Sequence, residues 1–407
     1  MPAKVVVVGP SSKVIQSLLS SGFEVVLMHE AEHAVMLDRF KDSKLKGTTI
    51  SSYRSVESVA STLAVIGVDQ IVGVIPGNEA AVVATSFAAA GYGLRSIPPA
   101  TAVLCRDKSL QKQSWNAAGV QTARWERLDP CTVRTVSAVG SILEGAGIGF
   151  PCVLKPLFEA GSVGVVVAKG VEDVLAYVLE SPGPLLAEEK LDLDEWHLDG
   201  VVRDGSISHL TVSRYVEPLL TVKTGRPVRS YVVPHSESAS YGDALSFSNA
   251  AISPLLLTDG VFHLEVFGAP GDFVAGELAC RPGGGLIVDA VETATGIDLW
   301  AEHWKAILGE AMGATPRFAA GATGFIHLPT VGGRINHIDP NVFSKWKGVK
   351  QVVPRCPRGE VMPDMSESSG ASIAYVLMAA DDVPTLLSGF ESITERTEQL
   401  FRQAPLE

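Results

Sequence analysis

A run of β-branched residues near the start of the chain is the feature that most constrains its fold. Residues 5–8 are four consecutive valines, followed by a Gly-Pro turn, an amphipathic segment that ends near Leu19 and a second apolar stretch over residues 24–28. A strand, a helix and a strand in this order form a βαβ unit, which places its strands in a parallel sheet. Residues 70–75 form a further apolar run. The sequence therefore predicts a Rossmann-like α/β domain over residues 1–105.

The turn after the first strand argues against a dinucleotide site there. The dinucleotide fingerprint has the form G-x-G-x-x-G, and the turn at residues 9–12 contains a single glycine. A nicotinamide-dependent oxidoreductase is therefore disfavoured. Many α/β domains of this kind bind no nucleotide at all, and the first domain is consistent with that simpler interpretation.

Charge and composition narrow the class of protein. The 407 residues include 33 Lys and Arg against 45 Asp and Glu, a net charge of −12, so the chain lacks the basic character that binding to nucleic-acid backbones requires. The most apolar uncharged stretch, residues 80–94, is too short and too polar to span a membrane. The five cysteines form no C-x-x-C pair, which argues against a disulfide framework or a thiolate metal site. We expect a cytoplasmic protein without a secretory signal, a nucleic-acid partner or a membrane partner.

The first group of residues that can carry chemistry is a lysine followed by a glycine-rich turn. Lys155 ends an apolar strand, and residues 161–164 contain two glycines. Glycines let backbone N–H groups approach an anion closely, and a neighbouring lysine supplies the opposite charge, so this arrangement favours phosphate binding. A glycine hairpin beside a surface lysine is also a common structural feature, and the residues alone leave both interpretations open.

The second group is a set of carboxylates at the end of another apolar run. Glu188 and Glu189 end that run, and Glu195 follows shortly after. A strand that leaves a core with free backbone groups can pair with the edge of an adenine, and a carboxylate a few residues on can accept hydrogen bonds from ribose hydroxyls. The alternative is a solvated charge cluster at the edge of a domain.

The third group is a pair of carboxylates within strand-like apolar runs, Glu265 and Glu277. If a hairpin joins the two strands, the carboxylates converge, and because unpaired buried carboxylates are costly they need an arginine or a shared Mg²⁺. Arg281 follows, with Gly283 and Gly284 behind it, and a fixed guanidinium there can face a transferring phosphoryl group. A structural Arg–Glu pair beside a glycine turn is the alternative.

Taken in order, these motifs resemble the ATP-grasp superfamily over roughly residues 1–300. The matching segments are Arg106-Asp107-Lys108, Val153-Leu-Lys155-Pro156, Ala160-Gly161-Ser162-Val163-Gly164-Val165, Ala187-Glu188-Glu189-Lys190-Leu191, Glu195-Trp-His-Leu-Asp199-Gly200 and Glu277-Leu-Ala-Cys-Arg281-Pro-Gly-Gly-Gly285. The resemblance implies an α/β protein with the ATP-grasp fold. Its parts are the Rossmann-like domain, a small lobe with a glycine-rich lid over residues 106–187, a central lobe with the metal site over residues 188–315, and a C-terminal lobe over residues 316–407.

The resemblance also assigns roles around ATP and Mg²⁺. It places Lys108 and Lys155 on the phosphates, Gly161, Ser162, Val163 and Gly164 in the lid, Glu188 with the backbone of Glu189 and Leu191 at the adenine, and Glu195 at the ribose. Glu265 and Glu277 are implied to bind Mg²⁺ or Mn²⁺, and Arg281 to stabilise the transferred phosphoryl group. Many relatives have an asparagine two residues after the second metal ligand, where this chain has Ala279. That departure leaves open whether one or two ions bind.

The remaining candidates concern the substrates. His263, two residues before Glu265, is expected to orient a carboxylate or a phosphate. Arg226, Arg229 and His235 lie in the segment between the ATP-binding strands and the metal ligands, where they can recognise a substrate carboxylate. Solvated loop charges are the alternative for each of them. Gly283 and Gly284 are assigned to the substrate pocket.

The overall layout most resembles L-amino-acid ligases and related carboxylate–amine ligases. The resemblance implies that a small-molecule carboxylate attacks the γ-phosphate of ATP, and that an amine opens the resulting acyl phosphate to give an amide, ADP and phosphate. The alternatives are a carboxylase or purine-pathway ligase of the same superfamily and an ATP-binding sensor without activity. A homodimer is a further expectation.

Overall fold

The computed structural model describes residues 3–40, 42, 44–313, 315–334, 339–355, 361–365 and 371–403. The strands, β1 to β18, are Lys4–Val8, Glu24–His29, Leu45–Thr49, Ile71–Pro76, Trp125–Leu128, Cys152–Pro156, Val166–Ala168, Leu185–Glu189, Glu195–Arg203, Ser206–Tyr215, Val228–Val232, Gly260–Ala269, Asp272–Ala279, Ala322–Pro329, Val331–Arg334, Val349–Pro354, Val361–Asp364 and Ser372–Ala380. The α-helices, α1 to α11, are Ser12–Ser20, Val56–Ile66, Val82–Gly91, Pro99–Leu104, Lys108–Ala117, Val136–Gly145, Val171–Glu180, Ser238–Ile252, Ile287–Thr295, Leu299–Leu308 and Val383–Gln403.

The N-terminal strands form a parallel sheet in the order β3-β2-β1-β4, which confirms the predicted βαβ start. The valines of β1 are buried, as expected for a central strand covered on both faces. A turn and a short 3₁₀ helix, Glu79–Ala81, follow β4, and the Asn78 side chain caps that helix by accepting from the Ala81 N–H at 3.1 Å. The turn approaches β1 so closely that a Cβ on Gly77 would lie 2.2 Å from the Gly9 carbonyl oxygen. Glycine is therefore required where these two turns meet.

A second, antiparallel sheet in the order β5-β8-β6-β7 carries Lys155 on β6 and Glu188 and Glu189 on β8. Helices α6 and α7 cover it with a compact apolar core. The sequence pattern predicts a strand over residues 121–128, but β5 is shorter. Its predicted first half leaves the sheet because Thr122 forms a parallel bridge to Ala275 of β13 instead.

The central sheet has eight antiparallel strands in the order β13-β12-β9-β10-β11-β14-β18-β16. Helix α9 packs against β11 and β14, and α11 packs against β14 and β18. The sheet runs across the predicted division at 315/316, and the predicted division at 187/188 falls inside β8. The divisions follow motif positions, whereas the hydrogen-bonded sheets do not separate there. As limits of independently folding units, the four ranges stay predictions.

A single helix is predicted over residues 101–118, but the structure has two helices, α4 and α5. Asp107 interrupts the run, since its Oδ1 accepts from the N–H groups of Ser109 at 2.8 Å and Leu110 at 3.1 Å and so caps α5. An aspartate at this position satisfies N–H groups that have no partner within the helix. The interruption places Lys108 in the first turn of α5.

Replacing Asp107 by Ala is expected to lower the free energy of unfolding by about 1 kcal/mol, because three donors around the start of α5 lose their acceptor. Asp107→Asn keeps a capping oxygen and serves as the matched control. The measurement is urea unfolding followed by circular dichroism. Equal stabilities of the two variants would show that the cap contributes nothing.

Candidate active site

A cleft lies between the small antiparallel sheet and the central sheet, and most of the predicted site residues line it. They are Lys108, Lys155, Gly161, Ser162, Val163, Glu188, Glu189, Leu191, Glu195, His263, Glu265, Glu277, Arg281 and Gly284. Residues separated by more than 170 positions in the chain thus face one cavity. Gly164, Gly283, Arg226, Arg229 and His235 do not line this cavity.

Two carboxylates face each other at the floor of the cleft. Glu265 of β12 lies directly opposite Glu277 of β13, and opposed residues in antiparallel strands project to the same face. The register shifts next to this pair, where Gly276 adds one residue to β13. Two half-buried carboxylates on adjacent strands provide the oxygen donors that Mg²⁺ takes, so the residues present fit a Mg²⁺ site. Lys108 Nζ, 2.9 Å from Glu277 Oε1, supplies positive charge to one of them.

The pKa values of Glu265 and of the nearby Glu195 shift in opposite directions. Burial opposes ionisation of Glu265, but the hydrogen bond and charge of His263 outweigh that cost and lower its pKa. Burial and the charge of Glu265 raise the pKa of Glu195 to about 8. Its Oε2 accepts from the Leu219 N–H at 2.7 Å. Burial therefore affects the two neighbouring glutamates differently, because only Glu265 has the imidazole of His263 against its carboxylate.

His263 belongs to a buried hydrogen-bond network next to Glu265. Its Nδ1 lies 2.9 Å from Asp199 Oδ1 and its Nε2 lies 3.6 Å from Glu265 Oε1. The other Asp199 oxygen lies 2.6 Å from His197 Nδ1, and His197 Nε2 lies 2.7 Å from the Ser230 hydroxyl. Burial opposes protonation of His263, but Asp199 and Glu265 outweigh it and raise its pKa to about 10. The imidazolium lines the cleft beside Glu265 and holds that carboxylate by its charge.

Lys112 is a site residue that the sequence analysis missed. It is 1% exposed, and its Nζ lies 2.6 Å from Glu188 Oε1, while Lys155 contacts the other oxygen of Glu188. Burial disfavours the charge on Glu188, but the two lysines outweigh this and lower its pKa to about 2. Lys112 stands four residues after Lys108 in α5, a spacing that places both on one helix face. That spacing was the available signal.

Asp199 and His197 were also missed as members of the site. They follow Glu195 on β9 at steps of two, and residues at that spacing share one face of a strand. The face was marked in the sequence by Glu195 itself. Because side chains alternate between the two faces of a strand, the position of Glu195 predicts that His197 and Asp199 lie on the same face as Glu195.

The glycine-rich turn is held in a backbone conformation that suits a lid. Gly161, Ser162 and Gly164 all have positive φ, and Ser162 is the one of these three with a side chain in that region. Gly164 does not line the cleft, contrary to its predicted place. A Cβ there would lie 2.8 Å from Pro156 Cγ, and the Tyr177 hydroxyl donates to the Gly164 carbonyl oxygen. Gly164 therefore anchors the turn to the small lobe.

The three glycines at residues 283–285, which follow Arg281, also differ in whether they line the cleft. Gly284 and Gly285 line the cleft, whereas Gly283 packs beneath it, where a Cβ would lie 2.9 Å from Ile287 and 3.1 Å from His263 Nδ1. Gly283 is therefore a packing residue and not part of the pocket surface.

The three predicted substrate-recognition residues lie elsewhere. Arg229 is buried in contacts with Glu217 and Glu391, because its neighbour Val228 faces the cleft and successive side chains of a strand point to opposite faces. His235 stacks on Phe318 with ring centroids 3.9 Å apart, and Arg226 is exposed outside the cleft. The prediction that they recognise a carboxylate in this cavity is not supported by their placement. Tyr215, Phe325, His327 and Tyr375 also line the cavity.

Comparison with known proteins identifies the class of protein. No family model matches the chain. The chain is 22% identical over 387 residues to an L-arginine-specific L-amino acid ligase of Bacillus subtilis, covering 92% of this chain and 89% of that protein. The crystal structure of an L-amino acid ligase from Bacillus licheniformis has a TM-score of 0.73, 16% identity and 98% coverage of both chains. A carboxyaminoimidazole ribonucleotide synthase from Aspergillus clavatus, complexed with ATP, has a TM-score of 0.74, 14% identity, and coverage of 98% and 99%.

These likenesses show that the chain has the ATP-grasp fold, and with the relative from Bacillus subtilis they confirm the resemblance given by the motifs. In the part of the chain that the structure describes, no helix is both long and apolar enough to cross a bilayer.

Replacing Lys112 by Met is expected to lower the free energy of unfolding by about 3–5 kcal/mol, because a buried carboxylate loses one of its two cations. Lys13→Met is the matched control. Lys13 pairs with Asp289 at 3.1 Å but is half exposed, so its loss should cost about 0–1 kcal/mol. The measurement is chemical denaturation of both variants at pH 7. Similar losses in the two would refute the buried ion-pair account.

Proposed function

We propose that the protein is an ATP-dependent carboxylate–amine ligase that forms an amide bond through an acyl-phosphate intermediate and releases ADP and phosphate. The observation that carries this proposal is the convergence of Lys108, Lys155, Glu265, Glu277 and Arg281 on one cleft beneath a glycine-rich turn. Two lysines and an arginine neutralise phosphoryl charge, and two carboxylates hold a divalent cation. Transfer of a phosphoryl group depends mainly on such positioning and charge stabilisation.

The nucleotide would occupy the part of the cleft between the two sheets. The proposed phosphate contacts are Lys108, Lys155 and the turn of residues 161–163. The adenine would lie against the end of β8, near Glu189 and Leu191, and the ribose near Glu195. The similar Aspergillus clavatus structure holds ATP, which supports this assignment. The Glu188 carboxylate is engaged by Lys112 and Lys155, so in this proposal it holds the lysines in place and only its backbone faces the adenine.

Mg²⁺ would be held by Glu265 and Glu277. When bound, the ion would polarise the phosphoryl oxygens and offset their charge. Mn²⁺ takes the same class of oxygen ligand. The small, buried side chain of Ala279 contributes no oxygen donor, so this proposal requires one protein-held ion and leaves a second to water and phosphate ligands.

The proposed reaction has two chemical steps, phosphoryl transfer to the carboxylate and amide formation, and residues of the cleft would assist both. A carboxylate oxygen of the first substrate attacks the γ-phosphorus, and the bond to the β-phosphate oxygen breaks with ADP as the leaving group. The amine of the second substrate then attacks the acyl carbon, phosphate leaves and the nitrogen loses a proton. Arg281 would stabilise the phosphoryl charge during the first change, and the turn of residues 161–163 would exclude water from the acyl phosphate.

The proposed substrates are amino acids or amino-acid-like acids and amines. The support is the likeness to two L-amino acid ligases that cover nearly the whole chain. A location in the cytoplasm and a homodimer stay predictions. The likeness to a carboxyaminoimidazole ribonucleotide synthase keeps a purine-type ligase as the alternative outcome of the test below.

Phosphate release from Mg-ATP is expected only when an amino acid pair is supplied. The experiment incubates the purified protein with Mg-ATP and the twenty amino acids, singly and in pairs, and identifies products by mass spectrometry. A dipeptide mass with matching ADP confirms the proposal. Nucleotide binding without turnover on any pair would favour a sensor, and turnover with bicarbonate or an aminoimidazole ribonucleotide would favour the carboxylase or purine-type alternative.

Glu277→Gln is expected to reduce kcat by at least about 100-fold and to raise the Mg²⁺ concentration needed for half-maximal activity, because an amide is a poor Mg²⁺ ligand. Glu57→Gln, a surface change remote from the cleft, is the control and should leave both values unchanged. The unfolding midpoint of each variant is measured in parallel. Full activity of the Glu277→Gln protein would exclude Glu277 as a metal ligand.

A further inference from the structure

Glu79 connects the first domain to the candidate active site. Glu79 begins the 3₁₀ helix after β4, and it does not line the cleft itself. One of its carboxylate oxygens accepts from Arg106 Nη1 at 2.7 Å, and the other accepts from Arg281 Nε. The N-terminal sheet thus contacts the arginine to which the phosphoryl-stabilising role is assigned, from a position 202 residues earlier in the chain.

The contacts of Arg281 leave one edge of its guanidinium for the cleft. Nε donates to Glu79, and Nη1 donates to the Pro282 carbonyl oxygen at 2.7 Å. Neither of these bonds uses Nη2, and Arg281 lines the cavity. A guanidinium is planar, so fixing two of its nitrogens fixes the direction of the third.

Glu79 is suited to this contact because it is charged and itself held. Burial opposes its ionisation, but Arg281 and Arg106 outweigh that cost and lower its pKa. The Asn78 cap and the close approach of Gly77 to Gly9 hold the turn that carries it. The carboxylate is therefore a fixed anion, not a mobile surface group.

The same contact extends to the lid. Arg106, the second partner of Glu79, donates through Nη2 to the Phe158 carbonyl oxygen, and Lys108 Nζ donates to the Glu159 carbonyl oxygen at 2.6 Å. Phe158 and Glu159 lead into the glycine-rich turn. Glu79 thus joins the first domain, the start of the lid and Arg281 through two arginines.

We propose that Glu79 is a positioning residue of the reaction: it holds the Arg281 guanidinium so that Nη2 faces the γ-phosphoryl position. This proposal rests on the proposed function, since it needs Arg281 to contact that group. A preorganised donor contributes most when it needs no reorientation as charge develops, and a displacement of about 1 Å can cost about 100-fold in rate. The first domain would then contribute to catalysis without contacting substrate.

The competing account is an ion pair that only joins two parts of the fold. The chain offers a matched control for that account, because Lys13 of α1 and Asp289 of α9 form another pair between the first domain and the central part, at 3.1 Å and outside the cleft. Asp289→Ala removes that pair without touching Arg281. A purely structural role would make the variants at Glu79 and Asp289 behave alike.

The first measurement needs no knowledge of the substrates. Binding of Mg-ADP and of a non-hydrolysable Mg-ATP analogue is compared by titration calorimetry for the wild type, Glu79→Ala, Glu79→Asp, Arg281→Lys and Asp289→Ala. The preference for the analogue over ADP measures contact with the γ-phosphoryl group. Glu79→Ala is expected to lose about tenfold of this preference, as Arg281→Lys does, while Asp289→Ala keeps it and Glu79→Asp restores part of it.

The second measurement is a double-mutant cycle on the same preference and, with the substrates identified, on kcat. If Glu79 acts through Arg281, Glu79→Ala has no further effect in the Arg281→Lys background, because residues acting on one contact are not additive. Additive effects, or a lower unfolding midpoint with an unchanged preference, would overturn the proposal while leaving the proposed ligase function intact. A wild-type protein that binds neither nucleotide would overturn both.

Discussion

The pairing of buried cations with buried carboxylates around the cleft is the constraint on which the site depends. A protein that handles ATP must keep several positive side chains in one cavity, yet unpaired buried charges are costly and this chain has a net charge of −12. Glu188 between Lys112 and Lys155, and Glu277 beside Lys108, meet that requirement. The lysines would therefore already be oriented when the phosphates of a nucleotide bind. Glu188 and Glu277, which orient them, could keep their positions during binding.

The register of the strands sets the relative positions of Glu265 and Glu277, the two proposed metal ligands. Glu265 and Glu277 are opposed because β12 and β13 form a hairpin, and the network behind them begins on β9, which pairs with β12. His263 lies between Asp199 and Glu265, so one imidazolium satisfies a fully buried aspartate and restrains the Glu265 carboxylate. Three adjacent strands of the central sheet, β13, β12 and β9, thus set the positions of the two proposed metal ligands. A shift of one residue in either pairing would turn these side chains to the opposite face.

The sequence predicted the structure correctly where the residue types and their periodicity indicated the same element. The valines of β1 indicated the parallel sheet, and the two strand-like runs indicated the hairpin that places Glu265 opposite Glu277. Their role as metal ligands stays a prediction. The pattern failed where the face of an element mattered, since Arg229 lies on a strand whose alternate residue, Val228, faces the cleft. It also failed for Lys112, because sequence shows a lysine in a helix but not the buried carboxylate that pairs with it. The break at Asp107 required recognition of a cap inside an otherwise helical run.

Gly9 and Gly77 allow the close packing of the turn that carries Glu79 to Arg281. A Cβ on Gly9 would lie 2.7 Å from Asn78 Nδ2, and one on Gly77 would lie 2.2 Å from the Gly9 carbonyl oxygen. A side chain at either position would push the turn away from β1 and carry Glu79 with it. The single glycine that argued against a dinucleotide site therefore has a different use in this chain. It lets the carboxyl end of the parallel sheet, where such folds commonly bind ligands, present a carboxylate to the neighbouring active site instead.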